Sequence, residues 1–312
     1  MSEALIDIEV DRRTADRLNA VSARRRYFPF ADEIIDWSVP LSDDWSYMPD
    51  GHSVLSGSGL LERLAPAERS FVERWEMTQL MRNIAHGEHL LNQGILAILW
   101  VTDPMDPSYR YLLHEVAEEC QHMAMFNEWV RRNDDIVAAD MGEALWGKAA
   151  GDGTEDLAMR LPAAFWVNVL LFEFVGDDFN HALKADPDGR LHPILVQIGK
   201  VHTAEETRHI AYAKAWLESG MAKLDDAQRT EVQTWTRLGA QNLIDRGAFL
   251  PVRFSDQLEP YLTRDEFLAA RATSPAGPRM LRQLKALLDD FEALGAVDGA
   301  TMRRWEDAGV FG

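Results

Sequence analysis

His202, Glu206 and His209 stand at i, i+4 and i+7 within the run V-H-T-A-E-E-T-R-H-I-A. At about 100° per residue in a helix, they fall within roughly 60° of arc. Leu195, Ile198, Ala213 and Trp216 lie on the same stripe, so these three polar groups point where apolar side chains point. A carboxylate buried by itself stays protonated, because desolvated charge is too costly to keep. Two imidazoles converging on it indicate a bound cation.

The same arithmetic finds a second copy. Glu118-Glu-Cys-Gln-His122 and Glu205-Glu-Thr-Arg-His209 are both E-E-x-x-H, and in each a Glu and a His three residues later share a face. A two-metal carboxylate site in a helical bundle needs this motif twice, plus one Glu from each of two further helices. A hairpin turning at 103–107 brings Glu119 level with residues 88–90, where Glu88 sits on the stripe of Ile84, Leu91 and Ile95. A turn at 186–189 sets Glu206 opposite the low 170s, where Glu173 lies among Phe172, Phe174 and Val175. The expected ligands are therefore Glu88, Glu119, His122, Glu173, His202, Glu206 and His209. Oxygen and imidazole donors without thiolate suit a pair of iron or manganese ions. Four carboxylates neutralise two divalent ions, which removes the penalty for burying them.

Other groups crowd the same faces. Glu118 and Glu205 are either solvated partners or acceptors that steady the ligand imidazoles. Glu115, one turn before Glu119, competes for a ligand or pocket role. Asp177 and Asn180 continue the Glu173 face as supports or pocket lining, and Phe126 follows His122 on the inner face. His86, His89 and His114 read as surface or satisfied core residues, and Cys120 as a small core residue. Arg82 is about 120° off the Glu88 stripe, and Arg208 is expected to point away from the metals into a helix–helix ion pair.

The elements that must position these residues are nearly all helical. Residues 1–65 form a mixed, partly irregular arm, with turn signals at Trp37-Ser-Val-Pro, Ser42-Asp-Asp and Pro49-Asp-Gly. Long helices are expected over 66–100, from the Thr102-Asp-Pro-Met-Asp-Pro break to about residue 132, over 155–185 and over 193–220. A linker at 135–153 holds one short helix. A fifth helix covers 225–246, a Gly247-Ala-Phe-Leu-Pro loop follows, and shorter helices cover 264–271 and 278–294. The expected class is all-α, a four-helix bundle with accessory helices. Its parts are an arm (1–65), a bundle (66–250) and C-terminal helices (251–312) completing one domain.

Composition narrows the function. A net charge of −19 and a pI near 4.8 oppose binding to nucleic acid or an anionic membrane surface. With 46% hydrophobic residues the 312-residue chain builds a sizeable core. One cysteine rules out an intramolecular disulfide and a thiolate cluster. The acidic N-terminus lacks the apolar stretch of a secretory signal. The most apolar segment, 161–176, is interrupted by Asn168 and Glu173 and is short for a bilayer span. The expected compartment is the cytoplasm.

Glu88, Glu119-x-x-His122, Glu173 and Glu206-x-x-His209 resemble the general pattern of ferritin-like diiron oxygenases. The extra His202, giving H-x-x-x-E-x-x-H, resembles the p-aminobenzoate N-oxygenase family over residues 66–250. The resemblance implies a ferritin-like, homodimeric, non-haem diiron monooxygenase. It would use two irons and O2 to oxidise a small aryl amine through hydroxylamine and nitroso stages toward nitro. Electrons come from an external donor, a separate reductase, since no flavin or dinucleotide fingerprint occurs here. Rival functions are carbon hydroxylation or desaturation by the same core, and a radical-generating subunit, in which a Tyr is expected where Phe126 stands. An iron store is disfavoured by the long arms at both ends. A mononuclear zinc hydrolase built on His202, Glu206 and His209 leaves Glu88, Glu119 and Glu173 without a role.

Overall fold

A computed structural model describes residues 10–138, 153–245 and 253–311. The first nine residues, most of the linker with its expected short helix, and the Gly247 loop with the boundary at 250 lie outside the described residues. In chain order the helices are α1 (Arg12–Arg24), α2 (Leu60–Arg63), α3 (Pro66–Val101) and α4 (Pro107–Arg132). They continue with α5 (Thr154–Arg160), α6 (Pro162–Ala185), α7 (Pro193–Met221) and α8 (Asp226–Asp245), then α9 (Arg264–Thr273), α10 (Ala276–Leu294) and α11 (Gly299–Asp307). Among the described residues the only β-pairing is one isolated bridge, Ser46 to Leu191, so the fold is all-α.

Local chemistry starts and stops the four long helices. Proline occupies the first turn of α3, α4, α6 and α7, where its missing N–H costs nothing. The Asp106 carboxylate caps α4 by accepting from the Ser108 N–H at 2.7 Å. Between α6 and α7, Asp186 takes a left-handed turn conformation (φ 29°) and its carboxylate accepts from the Arg190 and Leu191 N–H groups. The two hairpins, α3–α4 and α6–α7, pack together with α4 against α7 and α3 against α6. Apolar residues fill the space above and below the carboxylate level, with Tyr111, Trp166, Tyr212 and Trp216 in one cluster. Met77, Phe126, Trp129 and Leu195 lie in a second.

Three elements differ from the sequence expectation. The helix expected over 155–185 breaks at Leu161 (φ −144°, ψ 69°), because Pro162 pushes its predecessor out of the helical region. The arm contains a regular helix, α1, whose narrow buried face (Ala15, Leu18, Asn19, Ser22) gives too short a pattern to read. α11 is a helix beyond those expected, and the Asp298 carboxylate caps it by accepting from the Thr301 N–H at 2.9 Å.

The arm is not loosely attached. Glu73 and Glu76 on α3 are buried, and their carboxylates serve as anchors for the arm's backbone. Glu73 accepts from the Tyr47 N–H at 2.8 Å and Ser46 Oγ at 2.9 Å. Glu76 accepts from the Val54 N–H at 2.7 Å and Ser53 Oγ at 2.6 Å. Burial pushes the Glu76 carboxyl up to about 7, against the lowering pull of those hydrogen bonds. No described helix is long and apolar enough to cross a membrane.

Two glycines of α3 let α6 approach closely. A Cβ at Gly87 would enter the Phe172 ring, and one at Gly94 would enter the Phe165 ring. Helix propensity by itself makes Gly94→Ala stabilising by up to about 1 kcal/mol. Overpacking reverses the sign, and we expect a net loss of about 1–3 kcal/mol in urea unfolding. An unchanged or raised midpoint contradicts the packing described.

Candidate metal centre

The four long helices each send carboxylates or imidazoles to one level of the interior. Glu88 comes from α3, Glu119 and His122 from α4, Glu173 from α6, and His202, Glu206 and His209 from α7. All seven are buried. The geometry groups six of them. Potential ligand atoms of Glu88, His122, His202 and Glu206 lie within 4.8 Å of one another, as do those of Glu119, Glu206 and His209. Glu206 belongs to both groups, as a carboxylate spanning two cations would. Glu173 belongs to neither group, although the charge of Glu206 acts on its carboxyl.

Each imidazole of the paired motifs is gripped at both ends. His122 turns Nδ1 toward Glu119 at 3.1 Å and Glu206 at 3.2 Å, and donates its Nε2–H to Glu205 at 2.8 Å. His209 turns Nδ1 toward Glu119 at 2.7 Å and Glu206 at 3.2 Å, and donates Nε2–H to Glu118 at 2.9 Å. The first Glu of each E-E-x-x-H motif thus braces the histidine of the other motif, across the α4–α7 interface. Glu118 and Glu205 are both buried acceptors from imidazoles and not solvated groups. Arg208 completes the frame, donating Nη2–H to Glu118 at 2.7 Å and Nε–H to Ser22 on α1 at 3.0 Å. It points away from the ligand cluster, as the sequence indicated.

The donor set fits divalent cations. Glu173 Oε1 and Glu88 Oε2 are buried without a hydrogen bond, a costly condition that a metal bond relieves. Burial, reinforced by Glu119, pushes the Glu88 carboxyl up to about 8. Burial, with Glu206 and Glu119 adding, holds Glu173 well above the carboxylate range. Burial and Glu206 also push Glu119 upward, but His209 and His122 outweigh them and hold it at about 2. Burial disfavours imidazolium, yet Glu88 and Glu119 raise His122 well above its ordinary range, and Glu206 and Glu119 do the same for His209. Glu206 likewise overrides burial at His202, raising it to about 9. Without metal, the cluster compensates its charge with protons.

The remaining expectations sort as follows. Glu115 is fully buried, both its carboxylate oxygens lack a hydrogen bond, and burial pushes it up to about 8. It belongs to neither ligand group. Phe126 packs edge-on against His202, ring centroids 5.0 Å apart. Asp177 is half-buried and faces His181 at 3.5 Å, and Asn180 lies in the wall of a cavity. His89 is exposed, and His86 and His114 are partly so. Cys120 corrects the expectation of a core residue: it is exposed, at a position of α4 turned off the inner stripe, with Asn92 Nδ2 at 3.6 Å from its Sγ. Arg82 is exposed and reaches Asn127 instead of the site.

Two cavities meet at this level, and Phe172 and Glu173 belong to the walls of both. One, of about 50 Å³, reaches His202, Asn83, Asp178 and His52. The other, of about 110 Å³, is lined mainly by apolar residues, Leu90, Leu157, Val169 and Trp235 among them. Sequence periodicity did not find His52, Asn83 or Met280. His52 and Met280 come from the arm and the C-terminal helices, and Asn83 is one residue off the stripe.

Paired carboxylate–histidine motifs on a four-helix frame define the class of bundle proteins that hold two metals between facing helices. Within that class the chain belongs to the p-aminobenzoate N-oxygenase AurF family, whose sequence profile matches residues 9–295. The match is wider than the 66–250 of the resemblance, taking in α1 and α10, and membership carries the diiron oxygenase class with it. An uncharacterized protein of Mycobacterium bovis and one of Mycobacterium tuberculosis are each 27% identical over 248 residues, covering 78% of this chain and 71% of the relative.

Two outcomes test the cluster. Glu205→Ala frees His122 Nε2, and we expect metal affinity to fall by about 10–100-fold in chelator competition, with helicity unchanged. An unaltered affinity contradicts the brace. Metal must also displace the protons on Glu88, Glu173 and the imidazoles, so uptake at neutral pH releases protons and affinity rises with pH through the range where Glu88 (about 8) and His202 (about 9) lose theirs. Proton release is read with an indicator in dilute buffer; uptake without it rules out this charge balance.

Proposed function

We propose that this chain is an O2-activating N-oxygenase that converts a small aryl amine toward its hydroxylamine, nitroso and nitro forms. Glu88, Glu119, His122, Glu173, His202, Glu206 and His209 are its proposed iron ligands. The observation that carries the reading is His202. Its Nε2 lies 3.1 Å from Glu88 and 3.2 Å from Glu206, so a third imidazole joins the carboxylates of the centre. A generic carbon hydroxylase or desaturase needs only the two E-x-x-H histidines. A mononuclear zinc hydrolase has no use for the buried Glu88 and Glu119.

Bound iron supplies the electrons that reduce O2 and the site of oxygen transfer to nitrogen. The protein's own groups do the rest. Glu118, Glu205 and Arg208 fix the imidazoles, and Leu80, Ile84, Phe179 and Met280 give the smaller cavity an apolar side. A benzene-sized ring needs on the order of 150 Å³. Neither cavity offers that by itself, and the two together do, so substrate entry requires the Phe172 ring to swing off Gly87. The electron donor is a separate reductase, the compartment the cytoplasm, and the working form a homodimer. Leu96, Trp100 and Met105, all exposed around the α3–α4 turn, supply apolar surface for that pairing.

Reduced, iron-loaded protein exposed to O2 and a panel of aryl amines tests this, with products read by mass spectrometry. Amines gaining oxygen at nitrogen support the reading; ring or alkyl hydroxylation alone refutes it. His202→Ala should keep most of its iron and lose at least about tenfold in amine oxidation. If iron content and amine oxidation both survive, the role given to His202 is wrong.

A further inference from the structure

Asn83 on α3 lies in the wall of the smaller cavity. It is 1% exposed, and neither Nδ2 nor Oδ1 has a hydrogen-bond partner. A buried amide with no protein partner at either end is costly, and this one is part of the wall of the cavity that His202 and Glu173 also line. Five residues separate it from Glu88, about 7.5 Å of helix rise, comparable with the length of a benzene ring carrying para substituents.

We propose that Asn83 reads the far end of the substrate, and that this end is a neutral group with both a donor and an acceptor, a primary carboxamide, rather than a carboxylate. The proposal rests on the N-oxygenase reading, with the aryl amine spanning the two cavities past Phe172 and its far end at Asn83. A carboxamide pairs with Asn83 through two antiparallel hydrogen bonds, satisfying Nδ2 and Oδ1 together. A carboxylate only accepts. It satisfies Nδ2 and sets its lone pairs against Oδ1, and flipping the Asn amide merely exchanges the two ends.

The charges around the cavity agree. Its described lining has no lysine or arginine and contains two carboxylates, Glu173 and Asp178. The nearby Arg279 is already engaged, donating Nη1–H to the His52 ring at 2.8 Å and standing 3.9 Å from Asp178. Asp178 in turn lies 3.1 Å from His52 Nε2. A substrate carboxylate would have to compete with Asp178 for that one guanidinium.

Calorimetry on the oxidised, iron-loaded protein, with no reductant present, compares 4-aminobenzamide with 4-aminobenzoate. The amide should bind at least about tenfold more tightly. Asn83→Leu, nearly the same size, should abolish the preference while iron content and thermal midpoint hold, and Arg279→Gln should leave the preference in place. Equal or tighter binding of the benzoate, a preference that survives Asn83→Leu, or binding of neither compound overturns the proposal. An Asn83-dependent preference without oxidation of either amine sustains it and refutes the oxygenase reading instead.

Discussion

Charge in this interior has to be compensated, and the rest of the structure follows from how that is done. Glu88, Glu119, Glu173 and Glu206 are at most 4% exposed and share one level with three imidazoles. An isolated carboxylate there would cost several kcal/mol. Six carboxylates, counting Glu118 and Glu205, are instead balanced by His122, His202, His209 and Arg208, with protons making up the difference. The arrangement is reciprocal, since each of α4 and α7 supplies both a histidine and the acceptor that holds the other's histidine. Neither helix can rotate or slide without leaving buried charge unpaired on both. That coupling gives the centre its rigidity in a way the apolar core, which tolerates repacking, does not.

The outer parts of the fold serve this frame. α1 reaches Arg208 through Ser22, so the arm's first helix steadies a cation that steadies the His209 brace. The segment 46–54 is clamped by Glu73 and Glu76 and delivers His52 to the cavity mouth. α10 brings Arg279 and Met280 to the same place. The glycines of α3 bring α6 close enough for Phe172 to lie between the two cavities beside Glu173. The cavities beside the centre are thus walled in part by residues outside both ligand groups.

The sequence revealed what is periodic and hid what is assembled from distant segments. E-E-x-x-H at two places, with turn prolines that fix the hairpin level, sufficed to name Glu88 on α3 and Glu173 on α6 as buried, because helix rise is uniform and antiparallel neighbours keep register. The same motif could not tell whether Glu118 and Glu205 face water, since that depends on how α4 docks on α7. α1 escaped notice because it buries only four of its residues, and the break at Leu161 because the apolar run through Pro162 continues on both sides. Cys120, one residue and so about 100° past Glu119, has left the inner stripe and is exposed. His52 and Arg279 meet across 227 residues of chain, and no local pattern announces such a contact.

The direct measurement of the central claim is the number of divalent ions bound per folded chain, counted by elemental analysis after equilibrium loading with Fe(II) under anaerobic conditions. Two interior ligand groups joined through Glu206 require two ions per chain, with the second lost when Glu206 is replaced by Ala. One ion per chain, or two that persist without Glu206, would mean that no metal pair joined through Glu206 is built here.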